Sequence, residues 1–126
     1  MFSFAQESTR YCNYSKDKFG NELTFIKPCF KAISNSEGDV YNHNIALQEL
    51  EYALIDAEKR YLRLLNLGWS PQQARSVLPN SLKTELVMTG FDSDWEHFFE
   101  LRTPATAHPQ ARELAIPLQL EMNKIK

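Results

Sequence analysis

Three arginines, far apart in the sequence, are the side chains best suited to bind a phosphate group. They are Arg10, Arg75 and Arg102. A planar guanidinium donates paired hydrogen bonds to a phosphate in a geometry that a lysine cannot match. The alternative for each one is an ordinary arginine on a solvated surface, where arginines are most often found. The residue types alone leave both possibilities open.

Ser8 has no neighbour in the sequence that could activate it as a nucleophile. The three histidines, His43, His97 and His108, all lie far along the chain from it, and a serine nucleophile needs an adjacent base. Its hydroxyl is therefore a candidate ligand contact or, alternatively, a simple turn hydroxyl. Each histidine has a similar alternative as a hydrogen-bonded structural side chain.

The charge balance and the two cysteines exclude several classes of site. Fourteen Lys and Arg against sixteen Asp and Glu give a net charge of −2, so we expect no general attraction for nucleic acid, and any anion site must be local. Cys12 and Cys29 form neither a C-x-x-C pair nor part of a zinc ligand set, which predicts free thiols and no metal site.

The length and composition suit one folded domain spanning 1–126. The chain has 126 residues, of which 43% are hydrophobic and 24% charged, close to the globular average. No basic stretch followed by an apolar run opens the sequence, and no segment approaches the ~20 apolar residues of a membrane span. We therefore expect a cytoplasmic protein with no membrane partner.

The elements that must position these side chains are mainly helices. Leucines and other apolar residues at steps of three and four predict a helix from about Ile45 to Leu67 that ends at Gly68. Residues 33–44 are rich in turn formers, which predicts a surface connection. Ser70, Pro71 and Gln73 form a capping-box pattern that begins a short helix reaching about Leu78.

Two further helices and a few short strands complete the prediction. Residues 92–94 should cap a helix that reaches about Arg102, and Pro109 should begin a last helix that Pro117 bends. Residues 23–26 and 82–90 favour short strands, residues 17–21 a turn, and residues 1–18 an ordered loop or short strand. The predicted class is α+β, mainly helical with short strands.

Five segments in register resemble the flavin-dependent thymidylate synthases of the ThyX family. In that family an Arg-His-Arg signature is followed by seven residues and a Ser; Ser8 has seven residues before it, so the signature would precede Met1. The stretch from Ser3 to Tyr11 resembles the tail of this motif. The other segments are Tyr11-Cys-Asn-Tyr-Ser-Lys-Asp-Lys-Phe-Gly-Asn, Gln73-Ala-Arg75-Ser-Val-Leu-Pro79, Thr84-Glu85, and Trp95-Glu-His97-Phe-Phe-Glu-Leu-Arg102 through Ala107-His108-Pro-Gln.

The resemblance implies roles for residues that match the family's motifs. The implied dUMP contacts are Gln6, Glu7, Ser8, Arg10, Arg75 and Arg102, and the implied FAD contacts are Ser3, Gln6, His97, Leu101 and His108. His108 would lie at a helix start, where a diphosphate is favoured. This chain has Phe91 and Ser93 where the family often has Asn and Arg, which puts two flavin contacts in question.

The implied activity is the conversion of dUMP to dTMP, with methylenetetrahydrofolate as methylene donor, NADPH as reductant and FAD as cofactor. The resemblance also implies the carboxyl-terminal part of the ThyX-type fold, without the amino-terminal half. The expected partners are further copies in a homotetramer or a separate amino-terminal half. Two alternatives remain open: an inactive remnant that oligomerises through the 45–67 helix, and a module that binds dUMP without turnover.

Overall fold

The computed structural model of the protein describes residues 1–16 and 20–126. Helices dominate the fold, and two short strands pair in a two-stranded sheet. This confirms the predicted mainly helical α+β class. The elements in chain order are β1 (Ser3–Gln6), α1 (Glu37–Asn66), α2 (Pro71–Ala74) followed by a 3-10 turn (Arg75–Val77), β2 (Leu86–Thr89), α3 (Asp92–Arg102) and α4 (Pro109–Ile125).

These elements group into two compact units. The α1–α2 unit comprises Gln6–Lys27 and Lys31–Glu85. The α3–α4 unit comprises Met1–Ala5, Pro28–Phe30 and Leu86–Lys126. Each unit has its own buried residues, so each is described separately below.

Helix α1 begins eight residues earlier than the sequence pattern predicted, at Glu37. The prediction of a surface connection was therefore wrong for residues 37–44. The Ser36 hydroxyl caps the helix by accepting a hydrogen bond from the Asp39 amide at 3.3 Å, and the acidic residues Glu37 and Asp39 favour a helix start. This cap outweighs the turn-forming composition. At the other end Gly68 has φ 100° and follows the helix as predicted.

The core of the α1–α2 unit forms where α1 meets the segments that flank it. Tyr14, Leu23, Tyr61 and Ala74 are buried together. The rings of Tyr14 and Tyr61 meet edge to face, with centroids 5.6 Å apart, a favoured arrangement for aromatic pairs. The core thus joins α1, α2 and the loop after β1.

The short capped helix after α1 has the predicted form. The Ser70 hydroxyl accepts a hydrogen bond from the Gln73 amide, and the Gln73 side chain accepts one from the Ser70 amide. This reciprocal pair satisfies two amides that a helix start otherwise leaves free. The helix tightens into the 3-10 turn at Arg75, so the position of Arg75 is fixed by a well-capped element.

The strand predicted at 23–26 is reduced to a single bridge between Phe25 and Leu82, so that prediction was wrong. Hydrogen bonds flank the bridge on both sides, from the Ile26 amide to Ser81 and from the Lys83 amide to Thr24. The pairing stops there because the partner segment turns. A turn over residues 79–82, closed by the bond from the Leu82 amide to the Pro79 carbonyl at 3.1 Å, ends the pairing on that side of the bridge.

The other local predictions fare differently. The strand predicted over 82–90 is confirmed but shorter, as Leu86–Thr89. Part of the turn predicted at 17–21 lies outside the described residues; Gly20 and Asn21 both have positive φ, 59° and 63°, as turns require. The bend expected at Pro117 stays a prediction, although Pro117 does lie inside α4.

An aromatic cluster holds the α3–α4 unit together. The rings of Phe2 and Trp95 lie edge to face with centroids 4.8 Å apart, and Phe99 stacks on Trp95 at 6.0 Å. Phe99 of α3 and Ala115 of α4 are the buried apolar residues of these two helices. Neither helix, nor any other in the part of the chain that the structure describes, is long and apolar enough to cross a membrane.

The start of α3 is fixed by Asp94. Its carboxylate accepts hydrogen bonds from the Phe91 amide at 3.0 Å and from the amino group of Met1 at 2.6 Å. The bond from Met1 and then that from Phe91 hold the pKa of Asp94 below its usual value. Helix α3 thus begins at Asp92 and ends at Arg102, as the sequence predicted.

Candidate functional site

A cleft of about 530 Å³ opens in the α1–α2 unit, between the end of β1 and the loop after α2. Its walls combine a polar side from the loop after β1 with an apolar side from Leu78, Pro79 and Leu82. The lining residues are Gln6, Glu7, Ser8, Thr9, Arg75, Leu78, Pro79, Asn80, Leu82 and Thr84. Four of the residues predicted to contact a nucleotide, Gln6, Glu7, Ser8 and Arg75, therefore lie around one cavity.

Arg75 reaches the β1 loop across the cleft. Its Nη1 donates to the hydroxyl of Thr9 at 3.4 Å. The side chain is exposed, and among the described residues it forms no ion pair with a carboxylate. Its positive charge is therefore available to an anion in the cleft. Leu78, one turn onward, lines the same cleft and supplies part of its apolar wall.

Ser8 organises the loop that faces Arg75. Its hydroxyl accepts a hydrogen bond from the Arg10 amide at 3.2 Å, and its carbonyl accepts from the amides of Tyr11 and Cys12. The Ser8 hydroxyl thus stabilises the turn, which is compatible both with a simple turn hydroxyl and with a ligand contact. The hydroxyl hydrogen remains available to donate to a ligand, because the turn uses the oxygen only as an acceptor. No histidine is among the described residues that line the cleft, so no imidazole there activates Ser8 as a nucleophile.

Arg10 follows this turn, but its guanidinium is directed to the start of α2. Its Nε donates to the side-chain oxygen of Gln72, and the guanidinium carbon lies 5.1 Å from the ring centroid of Tyr11, within the range of a cation–π contact. Arg10 does not line the cleft. Two contacts connect Arg10 to residues of the cleft. Its amide donates to Ser8, and its side chain contacts Gln72 of α2, the helix that Arg75 follows.

The loop that carries Ser8 and Arg10 is tied to α1 by Tyr61. The buried Tyr61 hydroxyl donates to the Cys12 carbonyl at 3.4 Å and accepts from the Tyr14 amide at 3.3 Å. Burial is the main cause that raises the pKa of Tyr61 above its ordinary value of 10.0. The neutral phenol is the form that can make both bonds, so this one hydroxyl supplies two of the contacts that hold the loop against the core.

The remaining predicted site residues belong to the α3–α4 unit. His97 and Leu101 lie four residues apart on α3 and so share a face; both are exposed, at 72% for the His97 side chain and 51% for Leu101. Arg102, the last residue of α3, is exposed too. Ser3 is an exposed residue of β1. These residues therefore remain candidates on open surfaces of their own unit.

His108 caps α4 with its side chain. Its Nδ1 accepts a hydrogen bond from the Gln110 amide at 3.2 Å, so in the neutral ring the hydrogen lies on Nε2, which is free to donate. Pro109 has no amide hydrogen. Fewer amides than usual are therefore left to attract a diphosphate at this helix start, and any contact with one would rest mainly on the imidazole itself.

Several lining residues were not assigned a role from the sequence, namely Thr9, Asn80 and Thr84. Thr9 lies between Ser8 and Arg10, so its position in the same loop was a usable signal. Asn80 carried no such signal, because only the fold brings the residue after Pro79 to the cleft. Among the described residues no group of three His, Cys, Asp or Glu side chains could hold a metal ion.

Comparison with known proteins gives a consistent result. The family model for thymidylate synthase complementing proteins matches residues 1–125. The chain is 39% identical over 127 residues to a flavin-dependent thymidylate synthase of Mycobacterium sp. strain KMS, covering 96% of this chain and 49% of the relative. It is 27% identical over 122 residues to a flavin-dependent thymidylate synthase of Pyrococcus furiosus, covering 97% and 46%.

A solved structure agrees with these relatives. The UMP/dUMP methylase PolB from Streptomyces cacaoi, crystallised with 5-Br dUMP, superposes with a TM-score of 0.73 at 25% identity, covering 98% of this chain and 58% of PolB. The chain spans about half the length of the relatives it matches. Since the family model matches nearly every residue, the chain belongs to the family of thymidylate synthase complementing proteins, the flavin-dependent thymidylate synthases.

Proposed function

We propose that this chain is the dUMP-binding portion of a flavin-dependent thymidylate synthase. The reaction would convert dUMP to dTMP, taking a methylene group from methylenetetrahydrofolate and electrons from NADPH. The observation that carries the proposal is the cleft where Ser8, Thr9 and Arg75 meet in a chain that matches the family over residues 1–125. The dUMP analogue in the PolB crystal supports the choice of ligand class.

In the proposed complex Arg75 binds the phosphate of dUMP. Its guanidinium has five N–H donors, of which one is directed to Thr9, so enough remain for paired bonds to phosphate oxygens. The Ser8 hydroxyl donates a further bond. Arg10 and Arg102 add positive charge, and Gln6 and Glu7 provide polar contacts for the nucleoside. These residues bind and orient the nucleotide, and none of them needs to act as a nucleophile.

The α3–α4 residues fit a flavin. The exposed apolar Leu101 and the exposed His97 share a face of α3, a pairing suited to a ring system with polar edges. Nε2 of His108 can donate to a phosphate or ring oxygen. When bound, FAD would carry the electrons from NADPH to the nucleotide. The exposed Phe91, at 78%, offers an apolar surface at a position where the resemblance implied an amide side chain.

A complete enzyme would need more than this chain. The relatives are about twice as long, and we propose that the missing contacts come from an amino-terminal half or from other copies in a homotetramer. The same length difference supports one alternative: a catalytically inactive remnant that keeps dUMP affinity or oligomerises without turnover. Flavin absorbance of the purified protein separates the two, since the enzyme binds FAD and a remnant limited to dUMP does not.

Calorimetric titration with dUMP and with deoxyuridine tests the proposed site. Because deoxyuridine lacks the phosphate, it should bind much more weakly than dUMP. Arg75→Ala and Arg102→Ala should each weaken dUMP binding by about 1.5–3 kcal/mol, the range for a charged hydrogen bond, with little effect on deoxyuridine. Arg63→Ala is the matched control, because Arg63 is an exposed arginine in the last turn of α1 outside the cleft.

Different outcomes would contradict the phosphate site as a whole or the role of a single arginine. Equal affinities for dUMP and deoxyuridine would contradict a phosphate site anywhere on the chain. An unchanged dissociation constant for Arg102→Ala alone would remove Arg102 from the site and leave the rest. A loss as large in Arg63→Ala as in Arg75→Ala would reduce the effect to general electrostatics.

A further inference from the structure

The guanidinium of Arg10 is held by a residue with no assigned role. Its Nε donates to the side-chain oxygen of Gln72, and its guanidinium carbon lies over the Tyr11 ring, 5.1 Å from the ring centroid. Arg10 and Gln72 are 62 residues apart in the sequence and both belong to the α1–α2 unit. The contact is therefore a tertiary one, between the Ser8 turn and the first turn of α2.

The contact uses only Nε and leaves the two terminal amino groups of Arg10 without a partner among the described residues. Nε is one donor position, and the two terminal amino groups carry the other four hydrogens. Within residues 1–16 and 20–126 these amino groups have no hydrogen-bond acceptor and no carboxylate partner. A hydrogen bond at Nε and a contact with an aromatic ring reduce the orientations open to the two terminal amino groups, which are the donors that bind a phosphate end-on in a pair.

Gln72 is well placed to hold another side chain because its own backbone is rigid. It is the second residue of α2, between Pro71, whose ring fixes its own backbone angle, and Gln73, which completes the capping box with Ser70. Ala74 of the same turn is fully buried. The Gln72 side chain takes no part in the cap of α2. The helix itself therefore does not require a hydrogen-bond acceptor at this position.

We propose that Gln72 is a positioning residue that pre-orients Arg10 for the phosphate of the nucleotide. The inference rests on the proposed function and adds one specific claim. Because the Gln72 oxygen already holds the Arg10 side chain, less conformational entropy of Arg10 is lost when the ligand binds. Gln72 itself touches no substrate in this account. Its removal should therefore act only through Arg10 and only on ligands that carry a phosphate.

The first test needs no ligand. Hydrogen exchange at Arg10 Nε–H is measured by nitrogen-15 NMR in the full chain, in Gln72→Met and in Gln72→Glu. Methionine keeps the length of the side chain and removes the acceptor, so exchange should become several-fold faster; glutamate restores an acceptor, so exchange should slow again. Unchanged exchange in Gln72→Met would overturn the inference whatever the function of the protein.

The second test is a double-substitution cycle for dUMP binding, read by calorimetry. Gln72→Met should raise the dissociation constant about twofold to tenfold, the range for the cost of ordering one long side chain, and should leave that for deoxyuridine unchanged. In an Arg10→Ala background the same substitution should have no effect. Gln48→Met is the matched control, because Gln48 is an exposed glutamine of α1 in the same unit.

The cycle separates this inference from the proposed function. If Arg10→Ala weakens dUMP binding and Gln72→Met does not, the positioning role is overturned and the site stands. If Gln72→Met weakens binding equally with and without Arg10, Gln72 acts on the fold or on the ligand directly, and the positioning role is again overturned. If Arg10→Ala leaves dUMP binding unchanged, Arg10 is removed from the site and the positioning role is overturned, while the proposed function stands on Arg75 and Ser8. If the unsubstituted chain binds no dUMP, both proposals are overturned.

Discussion

Replacing Tyr61 by phenylalanine removes one buried hydroxyl and almost nothing else. Tyr61 is fully buried, and its ring packs edge to face on Tyr14 at 5.6 Å, a contact that phenylalanine keeps. What disappears is the donor to the Cys12 carbonyl and the acceptor for the Tyr14 amide. The substitution therefore isolates the hydroxyl that ties the Ser8–Arg10 loop to α1.

The expected cost follows from these two bonds. Removing a partner from a buried polar group costs about 1–3 kcal/mol. Both bonds are long, at 3.4 and 3.3 Å, which places them among the weaker ones. The ring remains, so no large cavity adds to the cost. Tyr61→Phe should therefore lower the free energy of unfolding of the α1–α2 unit by about 1–2 kcal/mol.

Urea unfolding followed by circular dichroism measures this change. The midpoint should fall while the slope with urea concentration stays constant, since the surface exposed on unfolding is the same. Tyr52→Phe is the control, because Tyr52 lies on the same helix, is 57% exposed and should change stability by less than about 0.5 kcal/mol. Equal midpoints for Tyr61→Phe and the unsubstituted chain would refute the hydroxyl's role.

Two other predictions concern stability, one at Gly90 and one for the pH dependence that Tyr61 causes. Gly90→Ala should destabilise the α3–α4 unit by about 1–3 kcal/mol, because a Cβ there would come within 2.5 Å of the Phe2 ring; Gly38→Ala, with open space around it, should be neutral or stabilising in the same thermal unfolding experiment. The pKa of Tyr61 in the folded chain is raised above the unfolded value, so its share of stability is present below about pH 10 and declines as pH rises through the folded pKa. Urea midpoints recorded above pH 10 should therefore fall more steeply for the unsubstituted chain than for Tyr61→Phe, and parallel declines would argue against the raised pKa.

The sequence predicted most where one residue decides the local structure. The Ser70–Gln73 capping box, Gly68 after α1 and Pro109 at the start of α4 all have the predicted positions, because each acts through bonds within one turn. The early start of α1 was missed since the turn-rich composition of 33–44 was given more weight than the single cap at Ser36.

Tertiary contacts could not be predicted in the same way. The segment at 23–26 has strand-forming residues, but its partner turns at Leu82, and that limits the pairing to one bridge. The contact of Arg10 with Gln72 depends on how the β1 loop meets α2, which no local pattern encodes. The resemblance to a family supplied the candidate residues, and the fold supplied the cleft that brings four of them together.

A crystal structure of the chain with dUMP tests the central claim most directly. We predict the phosphate within about 3 Å, the hydrogen-bond range, of both the Arg75 guanidinium and the Ser8 hydroxyl, with the uracil against the apolar wall at Leu78 and Leu82. A nucleotide bound elsewhere on the chain, with Arg75 and Ser8 both facing solvent, would contradict the account.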